Sequence, residues 1–255
     1  MIRGLYTAAS GMLLNEKKSV TIDQNLENMH TPGYRQASER VVSFPRLLVN
    51  RLAKQQDTGQ TEMAPLGIMG TGVFADRVMY KQTLGTVRET GNKTDLALVS
   101  EGFFAVETAQ GERYTRNGHF QLDPSGYLRT AGGNLVLGLN GPIGPLPEDF
   151  KVEPDGTVRD KQTNQIIDRL RIVDIPADNL RRDGLTTLFR TDAEPNLMPV
   201  ENIRIEQGFV EESNVDLTEQ MVALLEVTRA YSANQKVVQT NDSLLQKAVN
   251  EIAKV

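Results

Sequence analysis

The residues that could carry chemistry are few. The 255-residue chain has two histidines, His30 and His119, and no cysteine. Thiolate nucleophiles, disulfides and thiolate metal sites are therefore excluded. The histidines lie far apart with no H-x-x-x-H spacing, so a zinc site would have to recruit distant carboxylates. Asp123 and Asp155 sit in Pro-Gly turns that invite comparison with calcium loops, but too few carboxylates surround either one. Gly67-Ile-Met-Gly-Thr-Gly72 lacks the following Lys-Ser/Thr of a phosphate loop and reads as a flexible connection. There is no G-x-S-x-G elbow. The pair Glu211-Glu212 precedes a helix start, where negative charge favours the helix dipole. No catalytic, cofactor-binding or metal-ligating constellation is selected, and the chain reads as a protein that is not an enzyme.

Composition points the same way. Apolar residues make up 39% of the chain, Trp is absent and the net charge is −5 with both signs interspersed. Such a chain has an elongated or modest core, or surface that is buried only on assembly. No basic block or basic–aromatic stripe suggests nucleic acid. No apolar run reaches the roughly 18–20 residues that span a bilayer, so no membrane insertion is expected. The first apolar stretch, Ile2 to Leu14, is followed by Asn15-Glu16-Lys17-Lys18 without a small-residue cleavage site. It is expected to be retained, with any export leaving it in place.

The elements that would position any site run helix, irregular segment, β-rich middle, helix. Ile2, Leu5, Tyr6, Ala9, Met12, Leu13, Val20 and Leu26 form a helical stripe that should end before Thr31-Pro32-Gly33. Residues 36–72 carry Pro45, Pro65 and several glycines and read as an extended or partner-ordered loop. From 73 to 207 short β-type runs alternate with turns. Asp123-Pro-Ser-Gly126 and Glu153-Pro-Asp-Gly156 predict two hairpins, with Pro presetting the turn and Gly accepting positive φ. From Asp216 a long helix is predicted, because Leu217, Leu224, Tyr231, Val238, Leu245 and Ile252 recur every seven residues.

The expected fold is thus α+β. The N- and C-terminal helices, within 1–35 and 208–255, pair as a coiled-coil-like stalk beside a compact all-β domain over 73–207. The second seam position, at Thr228, Gln235 and Asp242, is poor for an isolated coil. Neighbouring subunits are therefore expected to complete the core, and a head-to-tail contact between identical chains gives a ring or an open filament. The candidate assembly interface is Leu5, Met12, Asn25, Leu26, Asn28, Leu217, Met221, Leu224, Tyr231, Val238, Leu245 and Ile252.

Three ordered motifs carry a resemblance. Asn25-Leu-Glu-Asn28-Met-His-Thr-Pro-Gly33-Tyr34 is similar to the N-N-L-A-N-x-N-T-x-G-[FY] signature of flagellar rod and hook proteins, departing at Gln24, Glu27 and His30. Thr90-Gly-Asn-Lys-Thr-Asp95 and Tyr114-Thr-Arg116-Asn-Gly118 match in the middle. Gly208-Phe-Val-Glu211-Glu-Ser-Asn214-Val-Asp216 and Arg229-Ala-Tyr231 to Asp242 match at the end. The resemblance implies a subunit of the flagellar axial structure, nearest the distal-rod type and its Gram-positive relatives, exported through the flagellar type III apparatus without cleavage. It implies a place in the basal body outside the cytoplasmic membrane. The implied partners are the chain itself, other rod and hook proteins, and the rings or cell wall around the rod. A hook-type or partner-binding axial subunit is the alternative.

Overall fold

The structure, a computed structural model, describes residues 2–54, 61–184, 187–191, 195–197 and 202–252. The chain divides into two compact units. The first comprises Met1–Asp23, Ser38–Val78 and Thr218–Val255, and the second Gln24–Ala37 and Met79–Leu217.

The first unit holds most of helix α1 (Ile2–Glu27), strands β1 (Ala37–Ser43), β2 (Leu47–Lys54), β3 (Thr61–Met69) and β4 (Val73–Tyr80), and helix α2 (Leu217–Ile252). Helix α1 has no internal proline and stops ahead of Pro32, where Gly33 takes φ 67°. Its buried apolar positions are Ala8, Leu14 and Ile22, joined by the polar Asn15, Thr21 and Asn25. Strands lie beside it: Thr7 Oγ1 donates to Thr71 O and Ser10 Oγ accepts from Val73 N–H, while Thr21 Oγ1 donates to Glu39. Strand β1 pairs β4, and β2 pairs β3 antiparallel with a register shift between Val49 and Asn50. The segment expected as a loop is therefore largely strand. Pro45 falls between β1 and β2, and Pro65 sits at the irregular register, both positions where a missing N–H is tolerated.

The expected coiled-coil stalk is not what the structure holds. Along α2 the sevenfold row is uneven: Leu217, Met221 and Tyr231 are 43%, 55% and 38% exposed, while Leu224, Val238 and Leu245 are half-buried. Thr228, Gln235 and Asp242, taken from sequence as the second seam, are all exposed. The inward row is instead Gln220, Val227, Asn234 and Asn241. Ideal Cβ atoms placed on Gly11 and Gly4 would stand 2.8 Å from Asn234 Nδ2 and 3.8 Å from Asn241 Nδ2. Small and polar residues thus meet where knobs-into-holes packing would require large apolar ones. The period of seven does not mark a two-helix seam, because α1 packs on strands as well.

The second unit is β-rich. Its strands are β5 (Val87–Glu89), β6 (Leu96–Leu98), β7 (Phe103–Thr108), β8 (Gly111–Thr115), β9 (Phe120–Leu122), β10 (Leu128–Thr130) and β11 (Leu135–Val136). They continue with β12 (Phe150–Val152), β13 (Thr157–Asp160), β14 (Ile166–Arg169), β15 (Ile172–Asp174), β16 (Leu180–Arg182), β17 (Leu188–Thr191), β18 (Asn196–Leu197), β19 (Ile205–Gln207) and β20 (Phe209–Glu211). Nine form one sheet along β16-β17-β8-β7-β11-β10-β9, with β15 pairing β7 and β18. Strands β12-β13-β14 form a second sheet, and β19-β6 and β20-β5 are pairs. Both predicted hairpins are present. Leu122 faces Leu128 and Val152 faces Val158, closed by Gly126 N–H to Asp123 O and Gly156 N–H to Glu153 O, both 2.9 Å. Leu96, Phe104, Phe120, Val136, Phe150 and Ile172 anchor one continuous core, with Phe104 edge-on to Phe120 at 5.3 Å.

Candidate assembly site

Within the second unit the N-terminal motif, the middle motifs and the Gly208–Asp216 segment converge. Asn25, on the last turn of α1, is buried. Its Nδ2 donates to Ala37 O at 2.8 Å, and its Oδ1 accepts from Ala37 N–H at 2.9 Å and from Tyr34 Oη at 3.1 Å. A side-chain amide is thereby paired to one backbone residue like a strand neighbour, which fixes the path of the chain leaving the helix. Arg182 of β16 donates to Tyr34 Oη (2.9 Å) and Arg35 O (3.0 Å), with its guanidinium 4.3 Å from the Tyr34 ring centroid and 4.9 Å from that of Tyr80. Burial pushes the Tyr34 phenol pKa upward, against the pull of Arg182.

Glu211 sits at the centre. It accepts from Arg35 Nη1 at 2.7 Å and Arg116 Nε at 2.6 Å, all three side chains being buried, and from Gly85 N–H at 2.8 Å. Arg116 also donates to the carbonyls of Leu98, Ser100 and Gly102. Burial pulls the Arg116 pKa below its ordinary value, opposed by the Glu211 charge. Asn214 completes the closure: its Oδ1 accepts from Gln36 N–H at 2.7 Å and its Nδ2 donates to Lys81 O (3.0 Å) and Thr83 O (2.8 Å). Asp95, also buried, accepts from Thr90 Oγ1 at 2.6 Å and Asn92 Nδ2 at 3.1 Å, and lies 2.7 Å from His119 Nδ1. These polar residues of the three motifs bond to one another or to the unit's own backbone. Their chemistry is structural closure.

Sequence reasoning passes over Arg35, names Arg116 and Asn214 only as motif members without this role, and misreads Glu211. That carboxylate lies on β20, gripped by two arginines, and only Glu212 is exposed enough to pair Arg88 at the surface, at 2.7 Å. The detectable signal was position, since Arg35, Arg116 and Glu211 each stand inside or beside a motif.

Of the sequence-predicted interface residues, Asn25 and Asn28 do internal work; Asn28 Nδ2 donates to Gln24 O at 2.9 Å. Leu26 is half-buried in the same unit. In the first unit Leu5, Met12, Leu224, Val238 and Leu245 are half-buried, whereas Met221 and Tyr231 face solvent. The side chain of Ile252 lies outside the described residues. The exposed apolar residues form other rows: Tyr6, Leu13 and Val20 on α1, at 68%, 63% and 52% exposure, and Val222, Leu225, Val237 and Leu244 on α2. The β2–β3 hairpin adds Leu47, Leu48, Leu66 and Ile68. No group of three or more potential metal ligands occurs among the described residues, and no helix there is long and apolar enough to cross a membrane.

Residues 206–251 match the family model described as flagellar basal body rod FlgEFG protein C-terminal, and residues 97–180 match that of the flagellar hook protein FlgE/F/G D1 domain. The chain is 31% identical over 273 residues to the flagellar hook-basal body complex protein FlhO of Bacillus subtilis, covering 100% of both chains. The chain belongs to the flagellar basal-body rod and hook protein family. The flagellar basal-body rod protein FlgG of the same organism is 29% identical, over 98% of this chain and 99% of its own. FlgF of Caulobacter vibrioides, a rod protein, is 29% identical over 100% of each. This flagellar rod protein is accordingly a structural subunit of the basal body.

Proposed function

We propose that this rod subunit assembles with copies of itself and with other axial proteins through the apolar rows of its first unit, forming a tubular shaft that transmits torque. The observation that carries this reading is the sevenfold spacing of Tyr6, Leu13 and Val20 on a water-exposed face. Large apolar side chains recurring along one exposed helix face mark an interaction surface. Burying each contributes on the order of 1.5–3 kcal/mol gross, so a repeated contact of several such residues holds a polymer together. Leu217, Met221 and Tyr231 belong to this proposed surface. Leu5, Met12, Leu224, Val238 and Leu245 support it from beneath. In this reading the helical segments within 1–35 and 208–255 serve assembly.

The proposal includes export in an unfolded state by the flagellar type III apparatus without cleavage, final placement outside the cytoplasmic membrane, and contact with the rings or wall around the rod. The resemblance of the terminal motifs supports these points. The test is a Leu13→Asp, Leu225→Asp variant expressed in a strain lacking the chain. Loss of basal-body incorporation with an unchanged unfolding midpoint is expected; normal incorporation overturns the proposal. The match of residues 97–180 to a hook-protein domain model favours one alternative, a hook-type axial subunit. Immunogold labelling of isolated basal bodies separates the two, on the rod or on the hook.

A further inference from the structure

Asn-Gly occurs at two places in this chain, Asn117-Gly118 and Asn140-Gly141. An Asn followed by Gly is open to a specific backbone reaction. The glycine nitrogen attacks the asparagine Cγ, the new N–Cγ bond forms, and the Cγ–Nδ2 bond breaks. Ammonia leaves with the proton from the glycine amide, and water then opens the cyclic succinimide to aspartate or isoaspartate. Glycine permits it because no Cβ obstructs the approach. The reaction further requires that backbone and side chain can turn toward each other.

The fold treats the two sites differently. Around Asn117 both partners are locked. Asn117 Oδ1 accepts from His119 N–H at 2.9 Å and Asn117 N–H donates to Thr115 Oγ1 at 3.1 Å. Gly118 O accepts from Leu96 N–H at 3.0 Å. A Cβ on Gly118 would fall 1.7 Å from Leu96 O, and one on Gly33 would fall 2.4 Å from Asn117 N. The segment is wedged between two other strands of chain and has no room to rotate. Asn140, in contrast, is exposed. It lies in the tight turn that Gly138 N–H closes onto Gly141 O at 2.7 Å, and a Cβ on Gly141 would meet nothing. Its carboxamide donates to Asp168 Oδ1 at 3.0 Å and its backbone N–H to Asp168 Oδ2 at 3.4 Å, both on the exposed side, bonds that water can replace.

We infer that Asn140 is a site of spontaneous deamidation in this protein and that Asn117 is protected by the fold. The product matters locally. The Asn140 amide donates to Asp168, and the new carboxylate would be a second acceptor at the same distance, so donor and acceptor become two repelling anions. The isoaspartyl form also lengthens the backbone by one atom and displaces Gly141 O from the Gly138 amide. The tie between this turn and β14 would be lost, irreversibly, on the surface of the β-rich unit.

The experiment is prolonged incubation of the full-length folded protein at mildly alkaline pH, followed by peptide mapping with fragmentation that distinguishes isoaspartate. A parallel sample is held in denaturant. Conversion at Asn140 at least about tenfold faster than at Asn117 is expected in the folded sample, with similar rates at the two sites in denaturant. Comparable rates in the folded protein, conversion first at Asn117, or no conversion at Asn140 would overturn the inference. Asn140→Gln should abolish the signal at that peptide and leave Asn117 as silent as before.

Discussion

Arg116 donates its Nε to Glu211 Oε2 at 2.6 Å with both side chains buried, joining residues from the middle and final motifs of the chain. Arg35 adds a second guanidinium from the segment after α1. A buried carboxylate held by two arginines is not in itself a large source of stability, because desolvation offsets much of the attraction. Removing the carboxylate alone is another matter. Glu211→Gln should cost about 3–5 kcal/mol by leaving two buried cations without their anion. A urea titration of the isolated protein would show this as a lower midpoint. Arg116→Lys should rescue little, since an ammonium cannot reproduce the contacts of the guanidinium to Glu211 and three carbonyls. An unchanged midpoint for Glu211→Gln would refute the central role of the cluster.

Gly118 offers a sharper steric test. With its hypothetical Cβ 1.7 Å from Leu96 O, Gly118→Ala must push β6 away from its neighbour. A loss of about 3 kcal/mol or more is expected, from overpacking and broken backbone bonds together. Thermal unfolding followed by circular dichroism would register it. Gly133→Ala is not an equivalent control, as its φ of 81° already disfavours a side chain. Gly70→Ala, with nothing near its Cβ, is the suitable comparison and should be nearly neutral.

Alkaline pH should reveal Tyr114. Burial first, and then the neighbouring Glu112 charge and hydrogen bond, push its phenol up to about 12 from 10.0. The folded state thus holds the proton after the unfolded chain has released it. The stability this contributes is complete below pH 10 and declines as pH rises through about 12. Phenolate absorbance of the wild type minus that of Tyr114→Phe should give a transition near the upper value. A difference curve centred at an ordinary phenol pKa would contradict it.

The β2–β3 hairpin permits a separate test of assembly. Leu48 and Ile68 are directly paired and both exposed, so they share one face of the hairpin. Leu47 and Met69, the next pair, point to the opposite face. The double variant Leu48→Asp, Ile68→Asp removes apolar surface that water already touches. Its unfolding midpoint should stay within about 0.5 kcal/mol of wild type, while its recovery with sedimented basal bodies falls. Full recovery would remove the hairpin from the proposed surface without touching the helical rows.

Much of the fold could be read from local chemistry. Pro-Ser-Gly and Pro-Asp-Gly encode their turns in adjacent residues, and both hairpins form where those residues stand. The terminal helices likewise announce themselves by uninterrupted periodicity. What failed was inference about partners. A period of seven says which residues share a face, not what the face meets, and Gln220, Val227, Asn234 and Asn241 turned inward instead of Thr228, Gln235 and Asp242. Pro45 and Pro65 obscured β1–β3 because a proline in the short link between two strands, or at an irregular register within one, looks in sequence like a proline in a long loop. The Arg35–Glu211–Arg116 cluster was illegible for a different reason: charged residues are ordinarily solvated, and only the fold reveals that these are not.

That cluster also bears on how the chain folds. Positions 35, 116 and 211 span the second unit almost from one end to the other, so their contacts close very long loops. A partly built version would strand a lone carboxylate, or two guanidiniums with no anion, in a medium of low dielectric. Half-formed versions of the cluster are thereby penalised. Closure of the second unit is therefore expected to be cooperative, with the three segments joining together.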